Sequence, residues 1–296
     1  MTLKKRTKLR LYIRAFSWLA PLLSSSVISA QTNNAEPIIT SVDYCADQFV
    51  LALAQPDQID ALSKDAHSPF SFYADRAQAI AKTRGTAEEI LIRKPDITVR
   101  QWFGSFQTDT LYERAGISSV SIGFASTPQG NYDNLISFSK KINREAEARD
   151  FVTKRKNMLE HLSEEPPYKG KALYITAGGF SAGKGTFVND TINMAGFTTM
   201  ADTYGQTGWS PLPLEAIIKT PPDVIITSFF DLTTVRSNWS LTNHPIVSKL
   251  LVGIPVIDVP SRYLSCNALF AADAAIYIRE EAGKLGLAEM ATEKKP

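Results

Sequence analysis

A chain of 296 residues, 44% hydrophobic and 21% charged, has the make-up of a folded protein with room for two modest α/β lobes, which excludes a fibrous or wholly disordered polymer. The formal net charge of +2 misleads, because residues 1–30 carry six basic side chains and no acidic one, leaving −4 on the remainder. That balance excludes the basic footprint of a nucleic-acid binder.

The first thirty residues read as a secretory leader. Lys4, Lys5, Arg6, Lys8, Arg10 and Arg14 form a basic start, and an apolar stretch from Phe16 to Leu23 follows. That stretch is too short and too serine-rich to span a membrane. Cleavage is expected near Ala30, although Ile28 departs from the small-residue pattern, and no cysteine offers a lipid anchor there. Beyond the leader, Pro37–Asp43 predicts a strand, Cys45–Ala54 a helix and Ile59–Ser63 a second strand. An aromatic loop, His67–Tyr73, precedes a helix from Thr86, the strand Asp96–Arg100 and the loop Gln101–Gly104. Asp109–Ala115 reads as a helix ending at Gly116, and Val120–Phe124 as a strand.

Tyr132–Leu162 has no internal Gly or Pro, and Leu135, Phe138, Ile142 and Ala146 recur at helical spacing. As one helix of about 30 residues it would run roughly 45 Å, too long for a crossover within one sheet. Lys171–Thr176 then opens a second strand series, followed by a Gly-rich loop and a helix near Thr191–Ala195. A helix at Glu215, the strand Asp223–Ser228, a helix around Ile246–Leu251, the strand Pro255–Val259 and a helix Leu269–Leu285 complete the chain. The segments before and after the strut look alike: Glu88 precedes Pro95-Asp96 by the interval at which Glu215 precedes Pro222-Asp223. A helix, Pro-Asp and a strand is also a common joint, so chance similarity is the plainer alternative.

Strands alternating with helices imply mainly parallel sheets, with ligands beyond the carboxyl ends of the strands. Two such sheets across a strut would pool those ends into one cleft. Its expected walls are Tyr44, Tyr73, Arg100, Trp102 and Phe103 from the first lobe, and Phe180, Trp209, Phe230, Arg262 and Tyr263 from the second. Aromatic faces suit broad flat ligands, and guanidinium groups suit carboxylate or phosphate. Taken singly, each aromatic has core burial as its alternative.

Other chemistries find only partial motifs in the chain. Gly178, Gly183 and Lys184 nearly complete a phosphate-binding loop, but Gly185 stands where Ser or Thr would hold magnesium. Gly179-Phe180-Ser181-Ala182-Gly183 matches a hydrolase nucleophile elbow, with Asp231 and His244 downstream, yet Gly183 and Gly185 discourage the helix that must begin at the serine. His67, His161 and His244 are too scattered for a metal shell, so no metal site and no cofactor are expected. Tyr44, Tyr73 or Tyr263 could reach a haem iron, though no spacing argues for it. Cys45 and Cys266 lie in different lobes; an oxidising compartment favours a disulfide, and the alternative is two small buried apolar residues.

From Ile38 to about Leu285 the chain resembles the periplasmic binding proteins for cobalamin and iron–siderophore complexes that serve ABC importers. The marks are the Ala87–Asp96 joint, the helix end at Gly116, Asn143-Arg144-Glu145-Ala146 within the strut, Gly183-Lys184-Gly185-Thr186-Phe187, Ala195-Gly196 and the Leu214–Asp223 joint. The resemblance implies an α/β fold of two Rossmann-like lobes joined by one long α-helix, with ligand in the cleft between them. It implies a leader at 1–30, an N-terminal lobe at 31–130, a linking helix at 131–165 and a C-terminal lobe at 166–296. It further implies a monomer in the periplasm, not an enzyme, that delivers a metal chelate to an ABC permease dimer of the inner membrane. Glu88 and Glu215 correspond to exposed docking glutamates, one per lobe, and Trp209 to a cleft tryptophan of cobalamin binders. Lys82 stands where a second cleft aromatic would be, and with Arg84, Arg100 and Arg262 it points to an anionic ferric siderophore; cobalamin and haem are the alternatives.

Overall fold

A computed structural model of the chain describes residues 36–101, 106–168, 170–176, 178–211, 214–228 and 252–287, with Leu214 and Ala216 described as backbone only. Trp102, Phe103, Phe230, Asp231, His244, the leader and the helix expected at Ile246–Leu251 lie outside the described residues.

The first sheet comprises β1 (Ile39–Ser41), β2 (Ile59–Ser63), β3 (Lys82–Thr83), β4 (Ile97–Arg100) and β5 (Ser118–Ser121) in the order β3-β2-β1-β4-β5, all parallel. The helices α1 (Tyr44–Leu53), α2 (Ala74–Ala77), α3 (Ala87–Arg93) and α4 (Phe106–Arg114) fall between these strands. The order reverses between β1 and β4, the position at which open parallel sheets bind ligands. Asp43 holds that point: its Oδ1 accepts from Ala46 N (2.8 Å), capping α1, while its Oδ2 accepts from Gln101 N (2.7 Å).

The second sheet has the order β11-β10-β6-β8, again all parallel, from β6 (Lys171–Ile175), β8 (Thr198–Thr199), β10 (Val224–Thr227) and β11 (Val256–Asp258). Helices α7 (Phe187–Met194), α8 (Met200–Thr203), α9 (Leu214–Lys219) and α10 (Ala271–Lys284) accompany it. Ala172, Tyr174, Val224 and Ile226 enter one core, and Leu173, Ile175 and Ile225 another. Burial on both faces explains why these strands are continuously apolar rather than alternating.

The two halves share one joint. Asp96 Oδ2 accepts from Ile38 N (2.8 Å), and β4 then pairs with β1 from Ile97 and Ile39 onward. Asp223 Oδ2 accepts from Lys171 N (2.7 Å), and β10 pairs with β6 from Val224 and Ala172. In each case the Pro-Asp aspartate fastens the strand that follows to the first strand of its own sheet. In the first half Lys94, in left-handed conformation (φ 51°), ends α3 just before Pro95.

The strut requires a correction. It is two helices, α5 (Pro128–Ser139) and α6 (Glu145–Glu164), broken at residues 140–144, where Asn143 takes φ 57°. Asn tolerates that left-handed turn better than most residues, which is why no Gly or Pro announces the break. Arg144 then pairs with Glu36 and donates to Gln58 Oε1 (2.6 Å), fixing the entry into α6. The 20 residues of α6, about 30 Å of helix, still reach both cores. Ala148 and Phe151 join the first, with Phe49, Leu62 and Leu135; Leu159 and Leu162 join the second, with Ile192 and Ile278. Between them Arg155 is buried, paired to Asp273 of α10 (2.9 and 3.3 Å) with its guanidinium 3.6 Å from the Phe151 ring centroid.

A second connection is shorter. The chain from Leu264, in the second core, crosses to put Leu269 and Phe270 into the first core, then returns as α10 with Ala274 and Ile278 in the second. Phe270 is fully buried and stacks on Phe72 with centroids 3.8 Å apart.

Candidate functional site

Part of the Gly-rich stretch, expected as a loop, is a short strand that pairs with a segment beyond α7 and α8. β7 (Phe180–Ala182) pairs antiparallel with β9 (Trp209–Pro211), setting Ala182 opposite Trp209. Gly183 is required there: a Cβ at that position would lie 2.6 Å from Gln206 O and 3.1 Å from Gly208 O. The backbones pair instead, with Gly183 N donating to Gly208 O (2.8 Å) and Lys184 N to Gln206 O (3.0 Å). The glycines thus serve close backbone approach within the protein. The nucleophile-elbow geometry is absent: Ser181 is 1% exposed in mid-strand, and the next helix begins at Phe187, capped by Thr186.

Strand β9 carries Trp209, 49% exposed, with its ring 6.1 Å from that of Tyr174. Both rings border a cleft of about 450 Å³. Tyr44 and Phe70 supply the wall from the first half, their rings edge-to-face at 5.1 Å. Phe187 and Val188 at the start of α7, Ser228 past the end of β10, and Ser261, Leu264 and Ser265 complete the described lining. No charged side chain belongs to it among the described residues. Two of the hydroxyls are committed: Tyr44 Oη donates to Ser265 O (2.7 Å) and Ser265 Oγ to Phe70 O (2.6 Å). Burial, then the charges of Asp43 and Asp65, holds the Tyr44 phenol above its usual range. Tyr174 is pushed up in the same way, by burial and then by Asp258. Both side chains therefore present neutral phenols.

The anticipated contacts divide. Tyr44 and Trp209 share the cleft; the other described candidates do not line it. Arg100 is occupied: its guanidinium donates to Asp109 Oδ2 (2.5 Å) and Ser119 Oγ (2.9 Å), and Ser119 Oγ donates to Asp109 Oδ1 (2.7 Å). Those bonds to Arg100 hold the Asp109 carboxyl below its usual range. Tyr73 packs on the first core under Phe270, edge-to-face at 5.7 Å. Tyr263 stacks on Tyr277 at 5.4 Å, and exposed Arg262 lies over the Tyr263 ring. Phe180 is 44% exposed on β7. The lining residues that sequence reasoning missed include Phe70, inside the loop read as aromatic, and Tyr174, inside a strand read only as apolar.

Cys45 and Cys266 are disulfide-bonded, with Cα atoms 5.3 Å apart. Glu88 and Glu215 stand exposed in the first turns of α3 and α9. Neither forms an ion pair among the described residues, whereas the neighbouring Glu89 pairs with Arg93 and Arg84.

Solved structures with this fold include the periplasmic heme binding protein HutB of Vibrio cholerae, 19% identical at TM-score 0.68, covering 83% of this chain and 98% of that one. The periplasmic heme-binding protein RhuT of Roseiflexus sp. RS-1 is 18% identical at TM-score 0.64, covering 83% and 99%. A periplasmic heme binding protein of Pseudomonas aeruginosa is 17% identical at TM-score 0.60, covering 88% and 94%. At these identities the likeness is one of fold. No curated protein sequence matches the chain. The family model described as periplasmic binding protein matches residues 39–251, from the first strand of the first sheet to beyond β10 in the second, and this chain belongs to that family.

Proposed function

We propose that this chain is the periplasmic solute-binding component of an ABC importer, and that its cargo is a metal chelate with a flat, largely uncharged face. The observation that carries the reading is the cleft of Tyr44, Phe70, Tyr174, Phe187 and Trp209, about 450 Å³ and without a charged side chain among the described residues. Such a site gains from burying broad apolar surface and aromatic faces. A tetrapyrrole-type chelate, haem or cobalamin, suits it better than the strongly anionic siderophore that Arg100 and Arg262 suggested. A ferric siderophore, the cargo that the sequence suggested, is the second reading. The names of the heme-binding neighbours favour haem among the tetrapyrroles.

Tyr44, Phe70, Tyr174 and Trp209 offer ring surface from both halves, so the reading has the protein holding the chelate largely through aromatic contact. The lobes would be residues 31–130 and 166–296 with the linker at 131–165, and the first thirty residues a removed leader. Glu88 and Glu215 would dock the loaded monomer on the permease, setting orientation and on-rate. Titration with haem, cobalamin and a ferric catecholate siderophore, followed by tryptophan quenching and chelate absorption, tests the reading. Saturable one-to-one binding of a tetrapyrrole is expected; failure to retain any of the three overturns it. Reversing both Glu88 and Glu215 to Lys should abolish uptake and leave that binding intact.

A further inference from the structure

The Cys45–Cys266 bridge joins two residues that each adjoin the cleft lining in sequence. Cys45 follows Tyr44 and Cys266 follows Ser265, and both of those neighbours line the cavity. Cys45 and Cys266 are 0% and 1% exposed. The bridge is therefore threaded through the wall, with one cleft residue attached to each end. Three further links close the same knot: Tyr44 Oη to Ser265 O, Ser265 Oγ to Phe70 O, and the edge-to-face pair of Tyr44 with Phe70.

The neighbouring anchors do not need the bridge. Phe270 stacks on Phe72 in the first core, and Leu264 packs into the second, so the crossing segment is held at both ends by burial. Within Ser261–Ser265, Leu264 is buried in the second core and Tyr263 meets Phe72 edge-to-face at 5.6 Å, so the links that tie the stretch to Tyr44 itself are the bridge and the hydrogen bonds of Ser265. No strand pairs there; the segment is a short 3-10 turn at Ser261–Tyr263 followed by irregular chain.

We infer that Cys45 and Cys266 are positioning residues for the ligand cleft: the bridge fixes the Ser261–Ser265 wall against Tyr44 and Phe70, so that the oxidised protein holds a preformed site. This rests on the chelate-binding reading for its ligand, though not for its geometry. Preorganisation of that kind raises affinity by removing ordering costs from the binding step. Both cysteines are needed, and neither touches the ligand.

The test uses the Cys45→Ala/Cys266→Ala double variant of the exported protein. Hydrogen exchange of unliganded protein should show protection lost at residues 261–268 and in the first turn of α1, with β6 and β10 unchanged. Affinity for the tetrapyrrole that the wild type retains should fall about tenfold or more, and Tyr44→Phe, which cuts only the bond to Ser265, should fall less. A lower melting temperature is common to a mere staple and to a positioning role, so it decides nothing alone. Unchanged affinity, exchange rising evenly over both sheets, or a variant with no cooperative melt makes the bridge a stability element and overturns the inference. If the wild type binds none of the chelates, the functional reading fails, and the exchange pattern alone upholds or overturns the positioning role.

Discussion

In the first half of the molecule Asp96 fastens β4 to Ile38, and in the second Asp223 fastens β10 to Lys171 in the same register. Past that shared joint the strand ends diverge. The first half closes its switch point with its own bonds: Asp43 takes the Ala46 and Gln101 amides, and Arg100 is spent on Asp109 and Ser119. The second half pairs β7 with β9 as a separate two-stranded sheet and leaves Trp209 half exposed at the cleft. The lesson is a division of labour. The first half offers a fixed wall of Tyr44 and Phe70, and the second offers exposed aromatic surface.

That contrast can be broken most severely at the crossing segment. Phe270→Ala removes a fully buried ring that the second half lends to the first core, and should cost about 3–5 kcal/mol in chemical unfolding. A loss below about 1 kcal/mol would mean that the first half does not depend on this segment.

A smaller effect sits wholly within the first half. Asp47 is buried on α1, accepts from Ser63 N (3.0 Å) and Ser63 Oγ (2.6 Å), and is pushed up to about 6, chiefly by burial. A folded pKa above the unfolded value means that the folded state holds the extra proton. The resulting stability is full below the unfolded pKa and lost as pH rises through about 6. Asp47→Asn keeps both contacts with Ser63 and should stabilise the protein at pH 7 by up to about 3 kcal/mol, with little change near pH 4. Parallel pH profiles for the two proteins would contradict the desolvation argument. The smallest effect is expected at Arg100. Arg100→Gln leaves the cleft lining intact, so chelate affinity should stay within about threefold while the Asp109 carboxyl returns toward its usual range on NMR titration. A large loss of affinity would return Arg100 to the ligand set.

Much of the fold could be read from the chain because its signals are local. Thr86 capping α3, the Pro-Asp joints and the apolar runs of β6 and β10 each lie within a few residues. What escaped depends on distant partners. The break between α5 and α6 rests on Asn143 and on Arg144 meeting Gln58 and Glu36, far away in sequence. The strand expected at Val120–Phe124 lies instead at Ser118–Ser121, because its register comes from β4 rather than from its own apolar residues. The β7–β9 pair joins segments separated by α7 and α8, and neither strand exceeds three residues. Arg100 looked like an anion hook because its partner Asp109 sits on the next helix, where nothing in the spacing couples them. Of the cleft itself, Tyr44 and Trp209 were legible as aromatics beside strand ends. Phe70 and Tyr174 were not, since burial in a cleft and burial in a core leave the same mark on a sequence.

The central claim is that one cleft, walled by Tyr44 and Trp209 from opposite halves, holds the chelate. Matched titrations of the wild type, Tyr44→Ala and Trp209→Ala with the same tetrapyrrole test it most directly. Each single variant should weaken binding about tenfold or more, with the Trp209 variant retaining its melting temperature, since that ring is 49% exposed. Wild-type affinity in both variants would place the ligand elsewhere and contradict the account.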